Sequence, residues 1–369
     1  MKIGIYTLHA NYNYGALLQA YAMQKVLERA GHQAELVNLS PLTAEEENES
    51  KLFSWRFKSI LTSLYSRGSF KVQKKHARFR KFHSQMNLSK RYYSLDEIYK
   101  NPPEYDIHLV GSDQVWNLER GFPKKSLYFL DFLKSEKIKV SYAASFGTQA
   151  IDEKCYEPLK KALMTFNAIS VREKDGVNII KNAAGLVAEQ VLDPTFLLDA
   201  REWESLIAPK PLIKGKYIFC YGFDNSEKSQ AMVAAIRERL RFPVVIASVS
   251  VFPPRKIKRD KFIQDAGPIE FLDLVRNAAF VCTGSYHGVA FAIHFRKSFF
   301  AAIHPTRNSR MESLLKKLGL EHRQLHEPSE IRQMLDDELF INYSRVEFEI
   351  KKESCNSMRW LMENIQGHR

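Results

Sequence analysis

Apolar and polar residues along the chain follow two alternating periods, one typical of strands and one typical of helices. "KIGIYTL" alternates like a strand, "YGALLQAYAMQKVLERAG" repeats apolar residues at helical spacing and closes with Gly31, and "AELVNL" is the next strand pattern. After a basic interruption the alternation continues through "YDIHLVGSD", "KVSYAASFG", "NAISVRE", "KDGVNIIKNA" and "AEQVLDPTFLL". This alternation predicts a parallel sheet with helices on both faces.

A second series of the same kind follows in the second half of the chain. It comprises "KYIFCYGF", a helix over about 227–240, "FPVVIASV", a helix over about 269–276, "AFVCTG", a helix after His287, and "KSFFAAI". Two such series predict an α/β protein with two Rossmann-like domains facing a cleft. We place the boundary where Pro209, Pro211 and Gly215 cluster. The expected units are residues 1–205, residues 206–345, and a C-terminal helix within 346–369 that packs back on the first domain.

The composition is ordinary for a folded soluble protein. Hydrophobic residues make up 45% and charged residues 26% of the 369 residues. The N-terminus lacks a signal-peptide pattern, and no apolar run approaches the ~20 residues needed to span a bilayer. We therefore expect a cytoplasmic protein. The four cysteines form no C-x-x-C pair, so neither a zinc site nor a redox couple is expected.

The net charge of +13 comes from one segment rather than from the whole chain. Residues 51–91 contain twelve Lys or Arg and no Asp or Glu, which leaves about +1 for the rest. The apolar residues at 53, 57, 60, 61 and 64 follow helical spacing, and we treat about 45–95 as a basic helical insertion. Either its helix packs on the first domain with a solvated basic face, or it contacts an anionic membrane or a diphosphate. The candidate contacts are Lys74, Lys75, Arg78, Arg80 and Lys81. No nucleic-acid recognition motif accompanies the charge, so no nucleic-acid partner is expected.

Ligands of open α/β sheets bind outside the carboxyl ends of the strands, so candidate site residues are sought in those turns. The turn "LHANYNYG" offers His9, Asn13 and Gly15; Asn13 is placed to cap the next helix, and Gly15 allows close approach to its N–H groups. In "GSDQVWN", Asp113 and Trp116 suit either helix capping and core packing, or a sugar held by a carboxylate and an indole.

Two further turns carry groups suited to anions and proton transfer. Arg172 emerges at the end of "SVRE", where a guanidinium can hold a carboxylate or phosphate. His287 lies in "TGSYHG", at the start of a helix whose dipole disfavours the imidazolium unless an anion is near. A structural histidine is the alternative. Arg307 and Arg310 follow a strand of the same half. The chain has no D-x-D, no P-loop lysine and no G-x-S-x-G elbow.

These turns, in this order, resemble the polysaccharide pyruvyl transferase family. The matching pieces span about residues 2–320, with the basic segment unmatched: "NYNYGALLQAYAMQKVLERAGH", "LVGSDQVWN", "SYAASFG", "SVREKDG", "VLDPTFLL" and "TGSYHGVAFAIHFRKSF". The resemblance implies a glycosyltransferase-B-like fold and transfer of pyruvate from phosphoenolpyruvate to a sugar as a cyclic ketal in bacterial surface polysaccharides. Arg172 and His287 match the family's arginine and histidine. Gly284 departs from it, because the family usually has an acidic or polar residue there.

The resemblance also implies roles for the residues found in the turns. His287 would protonate C3 of phosphoenolpyruvate and Arg172 would hold its carboxylate or phosphate. The expected donor side comprises Arg172, Ser285, His287, Gly288, Arg307 and Arg310. The expected acceptor side comprises His9, Asn13, Gly15, Asp113 and Trp116. No metal or other cofactor is expected beside the co-substrate.

Three further points stay open at this stage. A sugar acceptor carried on a lipid diphosphate would account for the basic segment and for peripheral contact with the inner membrane face. A nucleotide-sugar glycosyltransferase of the same fold is one alternative function. A non-catalytic glycan-binding assembly protein is the other.

Overall fold

A computed structural model describes residues 1–39, 70–124, 126–223, 226–247, 258–302 and 309–367. Within these ranges the first domain is built on a six-stranded, all-parallel sheet in the order β2-β1-β3-β4-β5-β6. Its strands are β1 (Lys2–Tyr6), β2 (Gln33–Leu36), β3 (Ile107–Val110), β4 (Ile138–Ala144), β5 (Ala168–Val171) and β6 (Glu189–Gln190). β3 is buried along its whole length, as expected for strands covered on both faces.

Six helices flank this sheet within the described residues, of which the sequence pattern indicates the first and the fifth directly. They are α1 (Tyr14–Arg29), α2 (Phe70–His83), α3 (Leu95–Lys100), α4 (Tyr156–Leu163), α5 (Lys174–Ala184) and α6 (Ala200–Ser205). α1 begins where the side chain of Asn13 accepts hydrogen bonds from the backbone N–H groups of Gly15 and Ala16. The apolar pattern expected at 53–64 lies outside the described residues.

The second domain repeats the architecture. Its parallel sheet has the order β12-β11-β10-β7-β8-β9. The strands are β7 (Ile218–Tyr221), β8 (Val244–Ala247), β9 (Lys261–Ile263), β10 (Phe280–Thr283), β11 (Phe299–Ala302) and β12 (Gln324–Leu325). The helices are α7 (Glu227–Leu240), α8 (Pro268–Arg276), α9 (Tyr286–His294), α10 (Ser309–Leu318), α11 (Pro328–Gln333) and α12 (Tyr343–Gln366).

The long helix α12 connects the two domains. At its start the Tyr343 hydroxyl donates to the carbonyl of Lys297, next to β11. Further along, the Ser357 hydroxyl accepts from the backbone N–H of Leu192, and Trp360 packs near Tyr142 of the first sheet. One apolar core is continuous through both domains and this helix. Among the described helices, none is long and apolar enough to cross a membrane.

The strand order reverses once in each sheet, between β1 and β3 in the first and between β7 and β10 in the second. At such a switch point the connections leave on opposite faces and open a crevice at the carboxyl edge of the sheet. Each Rossmann-like domain therefore has its expected ligand position where the "LHANYNYG" and "TGSYHG" turns lie.

Candidate active site

The position of His287 is fixed by a tight turn at the switch point of the second sheet. The Ser285 hydroxyl accepts from the backbone N–H of Gly288 at 3.4 Å, which starts α9 directly after β10. A Cβ on Gly288 would collide with Thr283, so only glycine allows the helix to start this close to its strand. A side chain on Gly284 would lie 2.5 Å from the carbonyl oxygen of Gly222, which accounts for glycine at this position.

His287 also lies against the first domain. A Cβ added to Gly15, in the first turn of α1, would collide with Nδ1 of the imidazole. Tyr14 anchors the contact, since its ring stacks on Phe271 with centroids 4.8 Å apart and its hydroxyl donates to the carbonyl of Ala266. The N-terminal ends of α1 and α9 therefore meet at the imidazole, where both dipoles favour negative charge.

Arg172 lies beside His287 in a buried array of opposite charges. Nη1 of Arg172 donates to Oδ2 of Asp193 at 2.9 Å, and Nη2 lies 3.4 Å from Oδ1 of Asp113. Nε2 of His287 lies 3.6 Å from the same Oδ2 of Asp193. The side chains of Arg172 and Asp193 are 1% and 0% exposed, so their charges interact in a medium of low dielectric constant.

Asp193 is held in its ionised form by its neighbours. Burial alone would raise the pKa of this carboxyl, but contacts with His287, the charge of Arg172 and a hydrogen bond from the backbone of Thr195 hold the pKa well below its usual range. Hydroxyls of Ser112 and Thr195 donate to its two oxygens at 2.8 Å each. Burial opposes the charge of Arg172, but the carboxylates of Asp193 and Asp113 raise its pKa above the ordinary value.

Asp113 and Arg310 form the more open side of the array. Asp113 has a left-handed backbone (φ 75°), a conformation that costs a non-glycine residue energy and tends to occur at functional sites. Nη1 of Arg310 lies 4.0 Å from Oδ1 of Asp113, and its Nε has no partner among the described residues. Burial and the charge of Arg172 lower the pKa of Arg310, so an added anion would stabilise this guanidinium.

A further carboxyl, Glu173, is fully buried next to Arg172. Its Oε1 accepts from the Ser145 hydroxyl and from the backbone N–H groups of Phe146 and Gly147, while Oε2 has no partner among the described residues. Burial raises the pKa of Glu173. The Tyr286 ring lies under the Arg172 guanidinium at 4.4 Å, which completes a rigid base for the site.

Comparison with known families agrees with this arrangement of turns. The sequence model described as polysaccharide pyruvyl transferase matches residues 13–303, which is most of the chain. The chain belongs to the polysaccharide pyruvyl transferase family. The match includes the turns that carry Arg172, Asp193 and His287, so these residues lie in the part of the chain that defines the family. No curated protein sequence matches the chain.

Solved structures place this pyruvyl transferase family member among proteins of the glycosyltransferase-B type. A UDP-GlcNAc 2-epimerase from Neisseria meningitidis, bound to UDP-GlcNAc, has 11% identity, coverage of 100% of both chains and a TM-score of 0.58. The S. aureus MnaA–UDP structure has 11% identity, coverage of 100% of this chain and 96% of that one, and a TM-score of 0.55. The N-terminal domain of trehalose-6-phosphate phosphatase from Candida albicans reaches 0.51 at 10% identity, with 100% and 96% coverage. At such identities the likeness concerns the fold, and the predicted fold class is confirmed.

The structure brings together Gly15, Asp113, Arg172, Ser285, His287, Gly288 and Arg310 at facing edges of the two sheets. Arg307 lies outside the described residues. Arg172 differs from the expectation, because two carboxylates already bind its guanidinium and its side chain is buried. The guanidinium of Arg172 is thus engaged by protein groups, whereas Nε of Arg310 has no partner among the described residues.

Of the residues expected to bind the acceptor, two have structural roles. Trp116 is fully buried, its ring stacks with Phe129, and its Nε1 donates to the carbonyl of Tyr128. No face of this indole is open to a sugar, so the stacking role expected for Trp116 is wrong. The side chain of Asn13 is engaged as the cap of α1.

His9 lies apart from the charged array, at the carboxyl end of β1. Its Nε2 contacts the carbonyl of Val37 at 3.1 Å and its Nδ1 lies 3.0 Å from Nε2 of His83. Burial lowers the pKa of His9 to about 4, so the ring is neutral near pH 7. His9 therefore belongs to a separate group of side chains between β1 and α2.

Three of the five basic residues of α2 that we named as candidate contacts interact with other residues of the protein. Arg78 donates to the carbonyl of Asp265 and pairs with the carboxylates of Asp265 and Glu270, and Lys74 pairs with Asp265 at 3.1 Å. Lys75 is buried, with its Nζ 5.5 Å from the centre of the Tyr14 ring, and burial lowers its pKa to about 8. Arg78 and Lys74 thus join the two domains, whereas Lys75 packs within the first domain. Lys74 is nevertheless 46% exposed, and Arg80 and Lys81 are exposed as well, so an anionic membrane or a diphosphate as their partner stays a prediction.

Asp193, Glu173 and Tyr286 were missed as site residues by the sequence reasoning. Asp193 had a readable signal, since "LDP" directly follows a strand-like run and an aspartate before proline favours a turn at a strand end. In the structure Asp193 lies between the two-residue β6 and a 3₁₀ turn at Pro194–Leu197. Glu173 looked like an ordinary start of a helix. Within the described ranges, no group of three or more His, Cys, Asp or Glu is placed to hold a metal ion.

Proposed function

We propose that the protein transfers pyruvate from phosphoenolpyruvate to two hydroxyls of one sugar, forming a cyclic ketal during synthesis of a bacterial surface polysaccharide. The observation that carries the proposal is the position of His287, between two helix N-termini and next to an ionised carboxylate. Membership of the pyruvyl transferase family supports the reaction type. The array offers both a proton carrier and cationic groups, which are what a compact, triply charged donor requires.

The proposed chemistry balances without a redox step. Protonation of C3 of phosphoenolpyruvate converts its CH₂ group to CH₃ and makes C2 electrophilic. One hydroxyl oxygen of the sugar bonds to C2; the second displaces the phosphate, whose C–O bond breaks. Of the two hydroxyl protons, one replaces the proton delivered to C3 and the other leaves with the phosphate. The reaction as written uses phosphoenolpyruvate as co-substrate and needs no separate cofactor.

Each residue of the array has a role that its geometry supports. Asp193 orients the imidazole through Nε2, and His287 acts as the general acid toward C3. Arg310 is partly exposed and its Nε has no partner among the described residues; it binds the donor's carboxylate or phosphate. Asp113, the less buried of the two aspartates, accepts a proton from a sugar hydroxyl. Arg172 holds both aspartates in place.

The proposal is tested first by donor binding. A ligand that binds only the folded protein at 100 times its Kd stabilises it by ~2.7 kcal/mol. For 369 residues the entropy of unfolding is about 0.8 kcal/mol per kelvin, so phosphoenolpyruvate should raise Tm by about 3 °C. Arg310→Gln should abolish the rise. Arg332→Gln is the control, because that arginine is exposed and its ion pair is with Glu238, which is also exposed.

Catalysis is tested by phosphate release from phosphoenolpyruvate in the presence of candidate acceptor sugars. His287→Gln should lower the rate by ~10²–10⁴ while the donor-dependent rise in Tm persists. A Tm rise with a nucleoside diphosphate and none with phosphoenolpyruvate would instead favour a nucleotide-sugar reaction. If the protein binds an acceptor sugar without releasing phosphate, and His287→Gln binds that sugar like the wild type, the protein is non-catalytic.

A further inference from the structure

A second pocket, separate from the charged array, lies at the carboxyl ends of β1 and β2. Its volume is about 370 Å³, within the range of pockets that bind small molecules. The loop between β1 and α1, which supplies His9 and Tyr12, forms one wall, and α2 forms the other with Phe79, Arg80 and His83. Asn38, Leu88 and Arg91 complete the lining.

The lining of this pocket favours an anion beside an apolar group. Two guanidinium groups, those of Arg80 and Arg91, and two imidazoles line it, and the described lining includes no carboxylate. Leu17, Phe79 and Leu88 supply apolar surface in the same cavity. Guanidinium groups bind phosphate oxygens in pairs, which makes them the preferred side chains for a phosphate or diphosphate.

Three other cations of α2 already contact groups of the protein itself. Arg78 and Lys74 are paired with acidic residues of the second domain, and Lys75 is buried against Tyr14. Arg80 lines the pocket, whereas its neighbour Lys81 is exposed on the same helix and does not line it. The helix thus presents two adjacent positive charges in two different environments.

The histidine pair in the pocket has a defined direction of hydrogen bonding. Because a carbonyl oxygen only accepts, Nε2 of His9 must donate to Val37. Neutral His9 then accepts at Nδ1 from Nε2 of His83. Nδ1 of His83 could then donate to an anionic ligand once it is protonated; burial lowers the pKa of His83, so the charge of the ligand would have to stabilise that proton.

We propose that this pocket binds the phosphate or diphosphate of a phosphorylated sugar acceptor, through Arg80, Arg91 and His83. The inference rests on the proposed function, which it extends by naming the acceptor's chemical class. The pocket loop leads directly into α1, whose Gly15 contacts His287. An acceptor anchored by its phosphate would therefore extend its sugar along this loop toward the imidazole.

The test is calorimetric titration of the full chain with inorganic diphosphate as the probe. Arg80→Gln should weaken binding about tenfold or more, as expected for the loss of charge-assisted hydrogen bonds. Lys81→Gln removes the same charge from the next position and should change affinity less than twofold. Tm of each variant without ligand checks that the fold is intact.

Two results would overturn the inference. The first is that the wild type does not bind diphosphate. The second is that Arg80→Gln and Lys81→Gln lose the same amount of affinity for diphosphate, because this would indicate a general effect of surface charge, such as membrane attraction. The source of the phosphate is distinguished by repeating the titration with UDP and with a short, water-soluble prenyl diphosphate. Tighter binding of either probe than of inorganic diphosphate, lost in Arg80→Gln, supports the pocket and names the source.

Failure of this inference and failure of the proposed function are distinguishable. If the pocket is right, His287→Gln binds diphosphate like the wild type whether or not phosphoenolpyruvate is the donor. If phosphoenolpyruvate is the donor, it raises Tm of Arg80→Gln by the wild-type amount whether or not the pocket binds diphosphate. Each site is therefore measured in a variant that leaves the other intact.

Discussion

Replacement of Asp193 by Asn should be among the most damaging single changes in this protein. Asn has nearly the shape of Asp and keeps an oxygen for the Thr195 hydrogen bonds, but it removes the charge that faces Arg172 at 2.9 Å. Of its two aspartate partners, the buried Arg172 then keeps only the more distant one, Asp113 at 3.4 Å. Breaking a buried ion pair on one side costs ~3–5 kcal/mol.

The size of the effect on Tm follows from chain length. At about 2.1 cal/mol per kelvin and residue, 369 residues give an unfolding entropy of about 0.8 kcal/mol per kelvin. A loss of about 4 kcal/mol should therefore lower Tm by about 5 °C. The exposed pair of Arg332 and Glu238 is the control, since Arg332→Gln should cost less than ~1 kcal/mol.

A double-mutant cycle identifies the cause of the loss. Each single variant leaves one buried charge without its partner, whereas the double variant Asp193→Asn/Arg172→Met removes both charges. Its loss of unfolding free energy should therefore be smaller than the sum of the two single losses, by at least ~1 kcal/mol. Calorimetry of the four proteins at one scan rate gives the comparison. Additivity within ~0.5 kcal/mol would refute the coupling on which the role of Arg172 depends.

Two other outcomes follow from close packing and burial. Gly15→Ala should lower the phosphate-release rate more than tenfold and cost ~1–3 kcal/mol of stability, because the added methyl collides with the imidazole of His287; wild-type activity would show that the contact is not maintained in solution. The free energy of unfolding should also fall as pH drops from about 6.5 toward 4. In this range histidines of the unfolded chain bind protons while the buried histidines of the folded protein stay neutral, so the free energy changes by up to about 1.4 kcal/mol per pH unit for each histidine. Urea midpoints at several pH values check this, and a flat profile from pH 7 to 5 would contradict it. The groups concerned, each with its pKa lowered by burial to about 4, are His9, His108 and His294.

Much of the fold follows from the sequence because each strand and helix carries its own periodicity. The turns that hold Arg172 and His287 are readable for the same reason, since strand ends of parallel sheets collect ligand-binding groups. What each side chain does there depends on distant partners. Arg172 is neutralised by Asp193, which follows a two-residue strand that periodicity cannot define.

The errors share one physical origin, which is long-range packing. Nothing near Trp116 indicates that Phe129 and the carbonyl of Tyr128 enclose its ring. Likewise, the charge of α2 looks like one solvated surface until Asp265 and Glu270, about 190 residues later, are brought beside Arg78. Local patterns predict where a group emerges, and tertiary contacts decide whether it is available.

The contact between Gly15 and His287 has a consequence for the timing of catalysis. Because the His287 side chain is only 7% exposed and lies against Gly15, the donor that we propose could reach the imidazole only after the two domains move apart. The proposed acid is also shared between the domains, because the first supplies Asp193 and Gly15 and the second supplies His287. Substrate entry and proton transfer would then belong to different conformations. Closure around the substrate would expel water before the acid acts, so that a sugar hydroxyl, rather than solvent, attacks the activated donor.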